Sequence, residues 1–223
     1  HAAVLQRLPE LDLCAVVEPS EEGRAAAREK GVAVYETIEA MLDLAKPQGI
    51  VLATPTPGHP EQCMKAIEAG VPVLVEKPIA VTSRDALSIT SAAEKAGVTL
   101  LVGHHRRHSG MVNAAKKVIA SGDIGDVRAV QATCWFYKPD YYFDVAPWRT
   151  KKGAGPISVN LVHDVDLLRH FCGEVESVQA VSAPSRRGFE NEDVATAILR
   201  FASGAIATIS VSDSIVGPWS WEM

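Results

Sequence analysis

The chain has 223 residues, of which 47% are hydrophobic and 22% are charged, a composition that is ordinary for a globular protein. Its formal net charge of −5 argues against binding to bulk nucleic acid, and no apolar run approaches the ~20 residues that a membrane span requires. The first residues lack the basic start and apolar core of a signal peptide. The four cysteines show no CxxC spacing and are expected to be reduced and buried, so the sequence predicts a cytoplasmic protein without nucleic-acid or membrane partners.

The first half of the chain alternates helices and strands at short spacing. Apolar runs predict buried strands at residues 11–17, 32–34, 49–53, 73–75 and 98–102. Segments with helical patterns predict helices at residues 1–8, 19–30, 37–44, 61–69 and 83–96. This alternation predicts an α/β domain with a doubly wound parallel sheet over residues 1–103.

The regular alternation of predicted helices and strands ends at Gly103. A basic loop at 103–108 precedes two predicted helices, at 111–121 and 157–171, which are separated by a β-branched and aromatic run at 127–137 and an irregular loop at 138–155. Strands are predicted at 175–181, 193–201 and 205–211, with Ser203–Gly204 as a hairpin turn. Residues 104–223 are therefore expected to form an α+β domain with a mostly antiparallel open sheet.

The two ends of the sequence indicate a fragment. The chain opens inside a predicted helix with no strand before it, and it closes at Met223 immediately after a tryptophan-rich stretch. The first domain is therefore expected to lack its first strand, and the second domain is expected to be incomplete.

Two charged residues follow the predicted strand at 73–75 directly. Glu76 and Lys77 precede Pro78 at the carboxyl end of this strand, which is where open α/β sheets bind ligands. An ammonium group there can stabilise charge that develops on a substrate oxygen, so Lys77 is the first candidate catalytic residue. The alternative interpretation is a surface ion pair at the end of a strand.

Other strand ends suggest a dinucleotide site. Glu18 ends the strand at 11–17, where a carboxylate can accept hydrogen bonds from both ribose hydroxyls of an adenosine and repel a 2′-phosphate, which favours NAD over NADP. Thr54, Pro55 and His59 follow the strand at 49–53 and could line the nicotinamide side of the groove. An acidic helix cap and an ordinary turn are the alternatives, and the glycine-rich phosphate loop is absent from the sequence.

The second half supplies further candidates. His163 can exchange a proton at physiological pH, and Asn160 lies one helical turn before it. Arg106 could contact a polar or acidic substrate or an interdomain carboxylate, while Trp148 and Arg149 could form a wall against a sugar or could serve packing alone. Three histidines lie too loosely for a zinc site, so no metal is predicted; they are His104, His105 and His108.

Together these motifs resemble the glucose–fructose oxidoreductase / inositol dehydrogenase / MocA family of nicotinamide-dependent oxidoreductases. The resemblance covers essentially the whole chain and rests on the order and spacing of short motifs. These motifs are Glu18-Pro19, Ala53-Thr54-Pro55 with His59, Val75-Glu76-Lys77-Pro78, Val102-Gly103-His104-His105-Arg106-Arg107, Ile124-Gly125, Trp148-Arg149 and His163-Asp164-Val165-Asp166-Leu167-Leu168.

The resemblance implies a Rossmann domain followed by a domain with a large open sheet that often mediates homodimers or homotetramers. It also implies that Lys77 is the lysine of the family's Glu-Lys-Pro motif and that His163 is its catalytic histidine. Many family members carry an aspartate four residues before that histidine, and here Val159 occupies the position with Asn160 beside it. Either His163 acts with Lys77 alone, or Asn160 binds the substrate hydroxyl, or the activity has changed.

The leading hypothesis is an NAD(P)-dependent dehydrogenase or reductase that transfers hydride between the cofactor, NAD rather than NADP, and a sugar, cyclitol or related hydroxy compound. Glu18, Thr54, Pro55, His59, Glu76 and Lys77 are expected to bind the cofactor, and Arg106, Trp148, Arg149 and Asn160 the substrate. Two alternatives stay open: a cofactor-binding sensor or scaffold without turnover, and a redox-neutral enzyme that uses transient oxidation.

Overall fold

A computed structural model describes residues 1–217 and divides the chain into two compact units, one of residues His1–Gly103 and one that begins at His104. The end of the chain at Met223, which the sequence suggested to be the end of a fragment, lies outside the described residues.

The first unit contains five short strands in two parallel sheets. β1 pairs with β2, and β4 lies between β3 and β5. The strands are β1 (Ala15–Val17), β2 (Ala33–Tyr35), β3 (Ile50–Leu52), β4 (Val73–Val75) and β5 (Leu100–Val102). The predicted parallel α/β architecture is confirmed, although β1 starts four residues later than expected because its partner β2 offers only three residues for pairing.

Helices precede and connect these strands, and the last three of them bury apolar side chains in the core of the unit. They are α1 (Ala2–Leu5), α2 (Glu21–Glu29), α3 (Ile38–Ala45), α4 (His59–Glu68) and α5 (Ser83–Ala96). Side-chain oxygens of Ser20, Thr37 and Thr82 accept backbone hydrogen bonds at the starts of α2, α3 and α5, which satisfies donors that a helix leaves unpaired. The core of this unit includes Leu52, Ile67, Val73, Val75 and Ile89.

The second unit is built on a four-stranded sheet in the order β6-β9-β8-β7. Its elements are α6 (Gly110–Ser121), β6 (Ala129–Trp135), α7 (Tyr141–Asp144), α8 (Val162–Cys172), β7 (Val175–Pro184), β8 (Glu192–Phe201) and β9 (Ile206–Ser212). Among the strands that the structure describes in this sheet, only the β6–β9 pair is parallel, which confirms the predicted mostly antiparallel sheet. Gly204, at a φ of 85°, lies in the predicted hairpin turn, a conformation that glycine adopts without strain.

The helix predicted at 157–171 begins differently from an ordinary α-helix. Residues Ile157–Leu161 form a π-helical turn, and α8 follows directly. The side chain of Glu192 accepts a hydrogen bond from the Ile157 backbone at 3.1 Å and occupies the space that a side chain on Gly155 would need. Strand β8 thus fixes the start of this helix, and π-helical turns of this kind are frequent at functional sites.

The loop predicted at 138–155 is also more ordered than its sequence indicated. It contains α7 and a 3₁₀ turn at Pro147–Thr150, on either side of a two-residue connection. Among residues 1–217, no helix is both long and apolar enough to cross a membrane, and the longest helix, α5, has 14 residues.

Two residues of α5 test which face of this helix packs into the core of the first unit. Ile89 is fully buried, whereas Leu87 on the same helix is 66% exposed. We expect Ile89→Ala to lower the free energy of unfolding by about 2–5 kcal/mol, because it removes buried methyl groups and leaves a cavity. Leu87→Ala should change it by no more than about 0.5 kcal/mol. Urea unfolding followed by circular dichroism measures the free energy of unfolding of both variants. Equal losses in the two variants would contradict the assignment of Ile89 to the buried face of α5.

Candidate active site

Glu18 is held in its charged form at the carboxyl end of β1. Its Oε1 accepts hydrogen bonds from the backbone N–H and the hydroxyl of Ser20, at 2.8 and 2.7 Å. These bonds, the backbone one foremost, hold the pKa of Glu18 below its usual value. A side chain on Gly23 would collide with Glu18, so the glycine lets the carboxylate lie across the start of α2. The result is a fixed anionic acceptor next to the end of a parallel strand.

His59 connects the loops that follow β3 and β4. It is 1% exposed, and its ring nitrogens face two backbone carbonyl oxygens, that of Pro78 at 3.0 Å from Nδ1 and that of Thr54 at 2.9 Å from Nε2. The hydroxyl of Thr54 donates to Gln62 at 2.6 Å, and Pro55 precedes a 3₁₀ turn. Direct contact of His59 with a cofactor stays a prediction, and the geometry instead favours a role in positioning the two loops.

Glu76 and Lys77 follow β4 as the sequence indicated. The Glu76 carboxylate accepts from the Lys77 backbone N–H at 3.1 Å and lies 2.8 Å from Nε2 of His1. A side chain on Gly103, after the neighbouring strand β5, would come within 3.2 Å of this carboxylate. Glu76 therefore packs over the end of β5, and the half-buried Lys77 follows it at the carboxyl edge of the sheet.

Two ion pairs join the loop after Gly103 to helix α8 in the second unit. Arg106 donates to Asp164 at 2.8 Å, and both side chains are about nine-tenths buried. Arg107 donates to both carboxylate oxygens of Asp166, at 2.7 and 2.6 Å. Burial raises the pKa of Asp164, while the neighbouring Arg106 opposes that shift. Of the two interpretations of Arg106, the geometry favours a carboxylate partner, and that partner lies within its own unit.

His163 is 4% exposed and lies in the first turn of α8, directly after the π-helical turn. The ring of His105 packs against it edge to face, with ring centroids 4.9 Å apart and an interplanar angle of 70°. Val159, which the resemblance places where an aspartate is usual, lies within the π-helical turn and is half-buried. The nearby acids Asp164 and Asp166 are both engaged by arginines.

Asn160 has a partner that the sequence did not reveal. Nζ of Lys138 donates to its Oδ1 at 2.7 Å, and both residues are buried. Because an ammonium group only donates, the amide oxygen must face Lys138 and the amide NH₂ must point elsewhere as a donor. The Lys138 ammonium lies 4.7 Å from the ring of Tyr142 and 3.9 Å from the Asp213 carboxylate. Lys138 lies in a segment that carries no recognisable motif, so sequence reasoning missed it.

Trp148 and Arg149 lie in the 3₁₀ turn after α7. The Arg149 guanidinium stacks on the ring of Tyr142 at 3.9 Å, lies 5.9 Å from the ring of Trp148, and donates to the Tyr142 carbonyl at 2.7 Å. Burial raises the pKa of Tyr142. The ring of Tyr142 thus lies next to two cations, Arg149 and Lys138. The sequence suggested a wall of Trp148 and Arg149 and did not indicate Tyr142.

The histidines of the basic loop do not meet other ligands in the geometry of a metal site. Within the part of the chain that the structure describes, no group of three or more His, Cys, Asp or Glu side chains could hold a metal ion.

The buried Arg106–Asp164 pair predicts a pH-dependent loss of stability. Arg106→Met would leave Asp164 buried without its cation and should lower the free energy of unfolding by about 3–5 kcal/mol near neutral pH. Because the pKa of Asp164 in the folded state lies above its ordinary value of 3.8, the folded state binds the proton more tightly, so stability is gained towards acid and lost as pH rises through the folded pKa.

The measurement is urea unfolding from pH 4.5 to pH 8, followed by tryptophan fluorescence, since all four tryptophans belong to the second half of the sequence. The loss in Arg106→Met should be smaller at the acid end. Adding Asp164→Asn to this variant should remove the pH dependence of the loss. If Arg106→Met lost the same amount of unfolding free energy at pH 4.5 and at pH 8, the unpaired Asp164 carboxylate would not be the cause of the loss.

Both halves of the chain match known domain families. Residues 1–104 match the oxidoreductase family with an NAD-binding Rossmann fold, and residues 112–223 match the GFO/IDH/MocA C-terminal domain. The first match agrees with the parallel α/β architecture of the first unit.

Individual proteins with similar sequences include two bacterial enzymes. Over 192 residues the chain is 33% identical to 1,5-anhydro-D-fructose reductase of Ensifer adhaerens, an alignment that covers 84% of the chain and 57% of that protein. Over 197 residues it is 30% identical to 2,7-anhydro-N-acetylneuraminate hydratase of Escherichia coli strain K12, with 85% and 52% covered. The chain thus spans a little over half the length of these curated relatives.

A solved structure supports the same relationship. The WlbA dehydrogenase from Bordetella pertussis, crystallised in complex with NADH and UDP-GlcNAcA, matches with a TM-score of 0.90 and 32% sequence identity. The match covers 96% of the chain and 63% of WlbA. With both domains matched and the fold shared, the chain belongs to the GFO/IDH/MocA family of oxidoreductases.

Proposed function

We propose that the protein uses a nicotinamide cofactor to oxidise a hydroxyl group, or to reduce the corresponding carbonyl group, of a sugar, cyclitol or related hydroxy compound. The observation that carries the proposal is the position of Lys77 at the carboxyl end of β4, in a unit that matches an NAD-binding Rossmann domain. An ammonium group fixed there stabilises negative charge that develops on a substrate oxygen. The reductase and dehydrogenase names of similar proteins support this activity.

The first unit contains a residue set that fits a dinucleotide. Glu18 is ionised and uses one oxygen for Ser20, so it keeps acceptor capacity for a ribose diol. Thr54, Pro55 and Lys77 would face the rest of the cofactor, while His59 and Glu76 hold their loops. When bound, the nicotinamide supplies the hydride acceptor or donor. NAD is proposed over NADP because the Glu18 carboxylate repels a 2′-phosphate.

His163 and Asn160 are proposed to act on the substrate oxygen. His163 would take the proton of the hydroxyl during oxidation and return it during reduction. Asn160 would donate an amide N–H to a substrate oxygen, because Lys138 occupies its carbonyl oxygen. This arrangement supplies a fixed hydrogen-bond donor near the position where many family members carry an aspartate and this chain carries Val159.

The substrate is proposed to contact the aromatic and cationic cluster of Tyr142, Trp148 and Arg149. Aromatic faces pack against the apolar C–H faces of sugar rings, and a guanidinium group donates to their oxygens. Because Arg149 already stacks on Tyr142, little side-chain freedom would be lost on binding.

The assembly is proposed to be a homodimer or homotetramer formed through the outer face of the sheet of the second unit. Val181, Ile198 and Ile206 are exposed on this face, and a second copy would remove their apolar surface from water.

A redox-neutral reaction is the second candidate. One relative at 30% identity is named a hydratase, and adding water changes no net oxidation state. Recycling of bound NAD without net NADH would distinguish this activity. Tight NAD binding without any turnover would instead indicate a sensor or scaffold, which the valine at position 159 also allows.

Lys77 tests the proposed chemistry. We expect Lys77→Ala to lower turnover by about 10²–10³-fold, because it removes a preorganised charge from the reacting oxygen. NAD affinity, measured by calorimetry, should fall far less than turnover, because Lys77 would be only one of several residues that contact the cofactor. Lys95→Ala, an exposed lysine at the end of α5, is the matched control and should behave as the wild type. Unchanged turnover in Lys77→Ala would exclude the proposed role of Lys77.

Glu18 tests the cofactor preference. Glu18→Ser removes the charge that opposes a 2′-phosphate, so the ratio of the dissociation constants for NADP and NAD should fall by about tenfold or more, equivalent to ~1.4 kcal/mol. Glu22→Ser, which removes an exposed acid from the same helix start, should leave the ratio close to that of the wild type. Calorimetric titration with NAD and with NADP measures the two dissociation constants. An unchanged ratio in Glu18→Ser would contradict the proposed contact between Glu18 and the ribose.

A further inference from the structure

Three consecutive loop residues contact three residues of α8 in the same order along the chain. His105 packs on His163, Arg106 pairs with Asp164, and Arg107 pairs with Asp166. The two ion pairs hold the 3₁₀ turn His105–His108 against the first turn and a half of α8. They thereby hold the ring of His105 beside that of His163.

The two histidines differ in their access to water. His163 is 4% exposed, whereas His105 is exposed. The ring centroids are 4.9 Å apart, which is close enough for two ring nitrogens that point at each other to come within hydrogen-bonding reach, about 3 Å. The pair thus connects a buried imidazole to the solvent.

The proposed function requires such a connection. Each oxidation leaves one proton on His163, and this proton must reach water before the next turnover. The acidic neighbours Asp164 and Asp166 are engaged by Arg106 and Arg107, so they are poorly placed to carry it. An imidazole can accept a proton at one nitrogen and release one from the other, and it does so near physiological pH.

We propose that His105 relays protons between His163 and water. During oxidation the substrate O–H bond breaks, its proton passes to His163, from there to His105, and from His105 to a water molecule; reduction follows the reverse path. His105 acts through His163 and does not contact the substrate. The biological use of the relay rests on the proposed function, but proton exchange between the two rings does not require a substrate.

The test is therefore made on the full chain without substrate. Nitrogen-15 NMR of histidine-labelled protein gives the rate at which the ring N–H of His163 exchanges its hydrogen with water. His105→Phe keeps an aromatic ring at this position but removes the titratable group, and it should slow the exchange by about 10²-fold. His105→Glu restores a group that can carry a proton and should recover most of the rate. His108→Phe changes an exposed histidine of the same turn and should match the wild type.

Two results would overturn the relay. One is an exchange rate in His105→Phe equal to that of the wild type. The other is a rate in His105→Glu as slow as in His105→Phe, which would show that ring packing, rather than proton transfer, sets the rate. Slowed exchange in His105→Phe in a protein that oxidises no polyol would refute the proposed function and leave the relay intact, so the two failures are distinguishable.

Discussion

The buried ion pair between Arg106 and Asp164 is the interaction on which the packing of the turn His105–His108 against α8 depends. Taking two charges out of water costs several kcal/mol for each ion, and only close, well-oriented contact offsets that cost. The 2.8 Å contact provides it, and the two-oxygen contact between Arg107 and Asp166 repeats it nearby. Because displacing the loop by one residue would leave these charges buried without partners, the ion pairs keep the ring of His105 beside that of His163.

The first unit fixes its loops by hydrogen bonds to backbone instead. His59 lies between the backbone carbonyls of Thr54 and Pro78. The Glu76 carboxylate accepts a hydrogen bond from the backbone N–H of Lys77. In both units, residues that resemble candidates for direct ligand contact instead hold neighbouring loops in place. His59 and Glu76 hold the loops around Lys77. Arg106 holds the loop that carries His105. Such supporting residues are common where a reacting group must be held within a fraction of an ångström of its working position.

The sequence predicted the elements and their order well, because buried strands, capped helices and glycine turns leave local patterns. It also placed Glu18 and Lys77 directly after strands that the structure shows, and it placed His163 within a helix but not at the start of one. It did not predict Lys138 as the partner of Asn160, the stacking of Arg149 on Tyr142, or the π-helical turn at 157–161. The first and third depend on contacts between residues 22 to 35 positions apart in the chain, and local patterns do not encode such contacts.

The proposed activity is the oxidation of a polyol with a nicotinamide cofactor. The most direct measurement is the absorbance of NADH as the protein is mixed with NAD and, one at a time, inositols, sugars, sugar acids and quinate-like cyclitols. We expect a steady rise in NADH with at least one of these compounds. No NADH from any compound, in protein shown by calorimetry to bind NAD, would contradict it and would favour a sensor or a redox-neutral enzyme.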